Sequence, residues 1–170
     1  MPGPISQGDP TVADVRTGIG FDAHRFGGDG PVILGGVSID HPTGVIGTSD
    51  GDVASHAICD ALLGAVAAGD LGSYFPSADP AWEGADSLEL LRFCVERVAD
   101  SGYTISSVDV TIIVETVRIE PHRVLMRERL AGALGVEIGR VSVKATTTDG
   151  LGWVGEGAGI AVQAIATVQR

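Results

Sequence analysis

The sequence has little positive charge. It contains 11 lysine and arginine residues against 22 aspartate and glutamate residues, which gives a formal net charge of −11. Because binding to a nucleic-acid backbone requires a basic patch, this balance argues against a nucleic-acid partner. A phosphorylated small molecule remains compatible with the charge, provided that metal ions neutralise its phosphates locally.

Long apolar runs and cysteines are also scarce. No apolar run approaches the roughly 18 residues of a membrane-spanning helix, and the N-terminus lacks the basic start and apolar stretch of a signal peptide. The two cysteines, Cys59 and Cys94, both fall in predicted helices, which makes a poor disulfide framework. We therefore expect a cytoplasmic protein in a reducing compartment, with no membrane partner.

What is present predicts one folded domain. Residues 1–16 are rich in proline and glycine and are predicted to be a disordered N-terminal arm, with the domain at 17–170. Strands are expected at 17–24, 32–34, 37–39, 108–114, 141–147 and 159–168. Helices are expected at 49–69, between 86 and 102 with Asp86 or Ser87 as the cap, and from 121 onwards. This order predicts an α/β (α+β) fold in which about three helices cover one face of a mixed sheet. Apolar residues such as Ile113 on the other face predict a homo-oligomer.

The first predicted helix carries two informative stripes. Ser49 or Asp50 is expected to cap it, and Gly69 is expected to end it. Its small residues, at positions 53, 57, 61 and 64, predict close packing against a flat surface. Asp52, His56 and Asp60 recur every four residues, so they are expected to lie on one side of the helix.

A metal site is one interpretation of the acidic and histidine residues. Asp22 and His24 are two residues apart at the end of a strand, so their side chains point to the same face. With His56 they supply a carboxylate and two imidazoles, a set that suits zinc and leaves a fourth position open. Asp60 could orient the ring of His56. The alternative is a loop aspartate and histidine that bond to nearby backbone groups.

A second polar cluster follows the strand at 141–147. Lys144, the threonines at 146–148, Asp149 and Gly150 are consecutive or nearly so. Hydroxyls and backbone amides at a strand exit can hold phosphate oxygens, and Asp149 could bind a hard cation such as magnesium. The alternative is a threonine-rich strand end followed by a turn.

These segments together resemble one known family. The segments are GFDAH at 20–24, SDGDVASHA at 49–57, GDLG at 69–72, FP at 75–76, GADS at 84–87 and VKATTTD at 143–149. In order and spacing they resemble the 2-C-methyl-D-erythritol 2,4-cyclodiphosphate synthases of the non-mevalonate isoprenoid pathway. The resemblance extends from about residue 17 to residue 170.

The resemblance implies a homotrimer with its sheets packed around a three-fold axis and its active sites between subunits. It implies a phosphorus–oxygen lyase that closes a cyclic diphosphate and releases CMP from a cytidine-diphosphate sugar-alcohol. Zinc would bind Asp22, His24 and His56, and magnesium would bind near Asp149. Thr147 and the residue at position 48 would assist catalysis. Further substrate contacts are implied for Ser49, Asp70, Leu71, Gly72, Phe75, Asp79, Val114, Glu115, Thr116, Val117, Arg118, Ile119, Glu120, Lys144, Thr146, Thr148 and Trp153.

The sequence departs from the family pattern at several positions. Thr48 stands where the family usually has a phosphate-contacting histidine, and a hydroxyl carries no positive charge. Val117 replaces a rigid proline in the cytidine loop. Glu156 replaces an arginine near the expected trimer axis, so binding of isoprenoid diphosphates there is not expected. A catalytically weak or inactive paralogue, acting as a metal- and nucleotide-binding or regulatory trimer, is therefore the alternative function.

Overall fold

The computed structural model describes residues 13–170. The strands are β1 (Val15–Asp29), β2 (Val32–Leu34), β3 (Val37–Ile39), β4 (Thr43–Val45), β5 (Thr104–Ile113), β6 (Val141–Thr146) and β7 (Gly159–Gln169). The helices are α1 (Val53–Ala65), α2 (Leu71–Tyr74), α3 (Ser87–Asp100), α4 (Arg123–Leu134) and α5 (Gly152–Gly155). No helix among these is long and apolar enough to span a bilayer.

The predicted mixed sheet is confirmed. Its strand order is β4-β1-β7-β5-β6; β5 and β6 are parallel, and the other neighbours are antiparallel. The hairpin predicted around Gly35 and Gly36 forms separately from β2 and β3, and both glycines have the positive φ that such a turn requires. Helices α1, α3 and α4 pack on the same face of the sheet, so the core lies between the helices and that face.

Small residues allow α1 to pack closely on β1. A Cβ atom on Gly18 would lie 2.0 Å from the carbonyl oxygen of Ala61, so only glycine fits at this position. The predicted contact of small helix residues with a flat surface is therefore confirmed for Ala61. Gly64 was expected on the same packed face, but it is exposed, and a Cβ atom there would contact nothing within 4 Å.

The start of α1 differs from the prediction. Its N-cap is Asp52, not Ser49 or Asp50, and the helix ends at Ala65, before Gly69. The carboxylate of Asp52 accepts hydrogen bonds from the backbone amides of Ala54 and Ser55 in the helix, and from those of Gly35 and Gly36 in the hairpin. The carboxylate of Asp52 is thus fully buried, and its hydrogen bonds join the hairpin to the start of α1 and include none with the ring of His56.

The folded region begins earlier than predicted. β1 starts at Val15, and the backbone of Asp14 exchanges two hydrogen bonds with that of Arg170. The carboxylate of Asp14 also accepts a hydrogen bond from the hydroxyl of Tyr103, at 2.6 Å. The predicted arm at 1–16 is therefore wrong for its last residues, and positions 1–12 lie outside the described part of the chain.

The face of the sheet opposite the helices, here called the outer face, is partly apolar. Ile19, Phe21 and Ile165 are 62%, 59% and 42% exposed. Ile19 and Ile165 lie opposite each other in the β1–β7 register, so they form a continuous patch. This agrees with the apolar face expected from the sequence.

Candidate active site

Strand β1 and helix α1 bring together the three predicted metal ligands, here called the triad. The Oδ2 atom of Asp22 lies 3.0 Å from Nε2 of His24 and 3.0 Å from Nδ1 of His56. One ligand atom from each residue lies within 4.8 Å of the other two. No other such group of three His, Cys, Asp or Glu residues occurs within residues 13–170.

The hydrogen bonds of the triad favour a cation at its centre. Nδ1 of His24 lies 2.7 Å from the carbonyl oxygen of Ile46, which can only accept, so this nitrogen carries a proton. In the neutral ring the lone pair therefore points from Nε2 towards the carboxylate of Asp22. A carboxylate and an imidazole lone pair attract each other only through a proton or a metal ion, so the donor set fits a divalent metal.

The contacts between Asp22 and the two imidazoles shift the pKa of Asp22 and of His24. Burial opposes ionisation of Asp22, but the imidazoles of His24 and His56, which can donate to its carboxylate when they are protonated, outweigh burial and lower the pKa of Asp22 well below its usual value. The hydrogen bond to Asp22 raises the pKa of His24, against the effect of burial. The centre thus stabilises negative charge on Asp22 and positive charge beside it.

The structure does not place Asp60 beside the ring of His56, as the sequence predicted. One carboxylate oxygen of Asp60 accepts a hydrogen bond from the backbone amide of Leu71, at 2.8 Å. Instead, Nε2 of His56 lies 3.0 Å from the hydroxyl oxygens of both Ser49 and Ser87. Sequence reasoning treated Ser87 only as a possible helix cap, because no local pattern connects it with His56.

A cleft of about 220 Å³, here called the metal-side cleft, opens next to the triad. Its walls consist of His24, Thr48, Ser49, His56, Leu71, Gly72, Phe75, Ser77, Trp82 and Leu90. The rings of Phe75 and Trp82 meet edge to face, with 4.7 Å between centroids, and form an apolar wall. A shallower hollow of about 610 Å³ beside Thr104 is larger, but it contains no predicted site residue.

Two predicted substrate contacts do not line the metal-side cleft. Asp70 is the N-cap of α2 and accepts hydrogen bonds from the amide and hydroxyl of Ser73. Asp79 caps the short 3₁₀ turn Pro80–Trp82 through the amide of Ala81. Both carboxylates therefore shape the loops that form the cleft.

A second hollow, of about 310 Å³ and here called the loop cleft, joins the two predicted cytidine segments. It is lined by Val114, Glu115, Val117, Arg118, Ile119, Glu120, Arg123, Ala145, Thr146 and Thr147. The carboxylate of Glu115 accepts hydrogen bonds from the amides of Thr148 and Gly150, at 2.8 and 3.3 Å. The backbone hydrogen bond from Thr148 is the main reason that the pKa of Glu115 is lowered. Glu115 thus fixes the threonine-rich loop.

The replacement of the family proline at position 117 has a structural explanation. Val117 and Ile119 are buried in the core, whereas Arg118 and Glu120 are exposed. This alternation anchors the segment by hydrophobic burial, so a proline is not needed to hold it.

The remaining predicted contacts lie outside both clefts. Lys144 forms an ion pair with Asp109 on the outer face, with 2.5 Å between Nζ and Oδ2. Trp153 is half exposed in α5, Thr116 borders a separate hollow, and the hydroxyl of Thr148 faces Glu115 and the carbonyl of Leu151.

Asp149 is exposed, has a positive φ, and belongs to no group of three possible metal ligands within residues 13–170. A magnesium site there stays a prediction. The metal-side cleft and the loop cleft share no lining residue. One chain therefore presents two separate parts of the site that the sequence predicted.

Comparison with solved structures agrees with the fold. The bifunctional IspDF from Campylobacter jejuni is 34% identical, with a TM-score of 0.90 over 93% of this chain, and this chain spans 43% of that longer protein. The IspF of Plasmodium falciparum, solved as a CDP complex, is 29% identical, with a TM-score of 0.79. That match covers 91% of this chain and 95% of the other.

Comparison of sequences is more specific. A 2-C-methyl-D-erythritol 2,4-cyclodiphosphate synthase from Cronobacter sakazakii is 53% identical over 156 residues, which are 92% of this chain and 98% of the relative. The YgbB family matches residues 15–169, nearly all of the described part of the chain. The chain therefore belongs to the YgbB family.

Proposed function

We propose that this protein is a 2-C-methyl-D-erythritol 2,4-cyclodiphosphate synthase of non-mevalonate isoprenoid biosynthesis. Its substrate would be 4-diphosphocytidyl-2-C-methyl-D-erythritol 2-phosphate, and its products the cyclic 2,4-diphosphate and CMP. The observation that carries the proposal is the triad at the mouth of a cleft, in a chain 53% identical to a synthase of that name.

The reaction is an intramolecular phosphoryl transfer, which makes the enzyme a phosphorus–oxygen lyase. An oxygen of the 2-phosphate attacks the β-phosphorus, and the bond from that phosphorus to the oxygen bridging it to the α-phosphate breaks. CMP leaves with the electron pair of the broken bond. Because no enzyme atom forms a bond, catalysis consists of positioning and charge stabilisation.

The triad would hold zinc, the metal that best suits one carboxylate and two imidazoles with an open position. Bound there, zinc would polarise a phosphate oxygen of the substrate and offset its charge. Magnesium, with Asp149 as a ligand, is proposed as the second cation. Within the chain, Asp22 supplies the charge, and the carbonyl of Ile46 holds the ring of His24 in place.

The metal-side cleft would bind the methylerythritol diphosphate part of the substrate. The hydroxyls of Thr48 and Ser49 lie on its wall beside the triad, where they can donate hydrogen bonds to phosphate oxygens. Leu71, Phe75 and Trp82 provide an apolar wall that excludes water from the reacting phosphates.

The loop cleft would bind the cytidine part of the substrate. Backbone groups of the segment around Val117 can form hydrogen bonds to the base, and exposed Arg118 supplies positive charge near phosphate. Thr147 lies in the same hollow, and its hydroxyl can donate to the charge that develops in the transition state. The Plasmodium falciparum relative was solved with CDP, which supports a cytidine nucleotide ligand.

A homotrimer would join the two clefts. The apolar patch of Ile19, Phe21 and Ile165 on the outer face would be covered when three sheets pack around a common axis. The loop cleft of one subunit would then face the metal-side cleft of its neighbour. Within one chain the two clefts share no lining residue. Assembly would bring them together, so that one complete substrate site forms between two subunits.

Release of CMP tests this proposal. Purified protein with zinc and magnesium should release CMP from the cytidine-diphosphate substrate, and His56→Ala should abolish the release. His41→Ala is the matched control, because His41 bonds to the backbone of Thr43 and lies outside the triad. If zinc-loaded wild-type trimer releases no CMP, the synthase is refuted and the non-catalytic paralogue takes its place.

A further inference from the structure

Ser87 makes an unusual set of contacts for the first residue of a helix. It begins α3, and it is fully buried. Its hydroxyl oxygen lies 3.0 Å from Nε2 of His56, and its hydroxyl proton is donated to the carboxylate of Asp50. The same carboxylate accepts the backbone amide of Ser87 at 3.2 Å. Asp50 therefore holds both the backbone and the side chain of Ser87.

Counting protons gives the direction of the hydrogen bond between Ser87 and His56. A serine hydroxyl has one proton, and a carboxylate can only accept, so Asp50 takes that proton. Towards His56 the oxygen of Ser87 can therefore act only as an acceptor. Nε2 of His56 must then carry a proton, and the lone pair of the neutral ring lies on Nδ1, which faces Asp22 at 3.0 Å.

Ser49 cannot fix the ring in the same way. Its hydroxyl also lies 3.0 Å from Nε2 of His56, but no carboxylate accepts its proton, so it can either donate or accept. Ser49 is also only partly buried, on the wall of the metal-side cleft. Of the two serines, only Ser87 makes a hydrogen bond to His56 whose direction is fixed.

The carboxylate of Asp50 is itself firmly placed. Its backbone amide donates to the carbonyl of Ala85 at 3.0 Å, and the carbonyl of Thr48 accepts from Gly84 at 2.9 Å. The carboxylate also accepts the backbone amide of Ser87, the first residue of α3, at the end of the helix where its dipole stabilises negative charge. The segment before α1 is thus joined to the start of α3.

We infer that Ser87, held by Asp50, is a positioning residue that keeps Nε2 of His56 protonated and presents Nδ1 to the divalent metal. The inference rests on the metal centre of the proposed function. A hydrogen-bond acceptor on the far nitrogen of a ligating imidazole fixes the ring and makes the ligating nitrogen more basic. No other residue of the triad supplies this acceptor, since Asp22 faces Nδ1 of His56 and the Nε2 atom of His24 faces Asp22.

Zinc affinity tests the inference. Ser87→Ala should weaken zinc binding by about 10- to 100-fold, measured by competition with a chromophoric chelator. Asp86→Ala is the matched control: it removes the N-cap of α3, which bonds to Leu88, without a contact to His56. Its zinc affinity should equal that of the wild type. An effect of Ser87→Ala that Asp86→Ala reproduces would show general weakening of α3 and overturn the inference.

Nitrogen NMR of zinc-loaded wild-type protein gives a second readout that needs no variant. The Nε2 atom of His56 should carry a slowly exchanging proton, with Nδ1 bound to the metal. Zinc bound to Nε2 of His56, or equal zinc affinity of Ser87→Ala and the wild type, would overturn this inference and leave the proposed function standing. A wild-type protein that binds no zinc would instead refute the proposed metal centre.

Discussion

Gly20 and Ala57 set the distance between the two elements that carry the triad. A Cβ atom on Gly20 would lie 1.9 Å from the carbonyl oxygen of Ala57, so strand and helix are as close as their backbones allow. Gly20 precedes Asp22 by two residues, and Ala57 directly follows His56. Close packing of the backbones therefore brings the carboxylate within 3.0 Å of the imidazole.

Gly20→Ala should accordingly separate β1 from α1. We expect a loss of stability of about 3 kcal/mol, at the upper end for overpacking, because the methyl group meets backbone rather than a flexible side chain. Urea unfolding of the metal-free protein measures it. Gly64→Ala on α1 is the control: its methyl meets nothing, and alanine should stabilise the helix by up to about 1 kcal/mol. Equal stability of Gly20→Ala and wild type would contradict the packing described here.

Removing one ligand should remove the metal. The wild-type chain should bind one zinc ion per subunit, and His56→Ala should lose it, because an aspartate and a single imidazole make a weak site. Metal analysis by mass spectrometry after gel filtration measures the content. Equal zinc in both proteins would show that the triad is not the binding site.

Thr48→His tests the main departure from the family. An imidazole at this position of the metal-side cleft would add a charge-assisted donor to phosphate, worth about 2–4 kcal/mol, or roughly tens- to several-hundred-fold in turnover. We expect faster CMP release with unchanged zinc content. If both proteins are silent, with zinc bound and the trimer intact, the synthase proposal fails.

Asp60 should make the metal-free protein less stable as pH rises. Burial is the main cause that raises the pKa of its carboxyl above 3.8, so the folded state binds more protons than the unfolded state between the two values. The stability of the wild type relative to Asp60→Asn should therefore fall as pH rises through this interval, since the amide has no proton to lose and its oxygen can still accept from Leu71. Unfolding at a series of pH values measures the difference between the two proteins. If the difference in unfolding free energy between Asp60→Asn and the wild type does not grow with pH, the raised pKa of Asp60 is contradicted.

Assembly should depend on the outer face. Light scattering should give three times the 17.4 kDa chain mass. Phe21→Asp should yield monomers, because a charge replaces the centre of the apolar patch. Val124→Asp is the control, since Val124 is equally exposed but belongs to α4 on the helical side. Trimers of Phe21→Asp would place the interface elsewhere.

Local chemistry made part of this structure predictable. The hairpin at Gly35 and Gly36 follows from two residues that both tolerate positive φ. Asp22 and His24 share a face because side chains alternate along a strand. The helix from Ser87 was correctly predicted to start with Asp86 as a possible cap.

Several of the errors involve contacts between distant parts of the chain. By residue type, the N-cap of α1 could equally be Ser49, Asp50 or Asp52. The hydrogen bond from the amide of Gly35, which is distant in sequence, favours Asp52. The pairing of Val15 with Gln169 extended β1 into the predicted arm. The contact of Ser87 with His56 spans 31 positions, which no periodic pattern encodes.

The buried carboxylate of Asp52 makes the hairpin and the start of α1 one cooperative unit. It accepts amides of both, so opening either element leaves a charged group buried with too few donors. Partial unfolding that exposes the turn at Gly35 must therefore also fray the helical turn that carries His56. The position of the His56 ring and the closed state of the hairpin therefore depend on the same opening equilibrium. A ligand that binds and holds the imidazole also stabilises the closed turn.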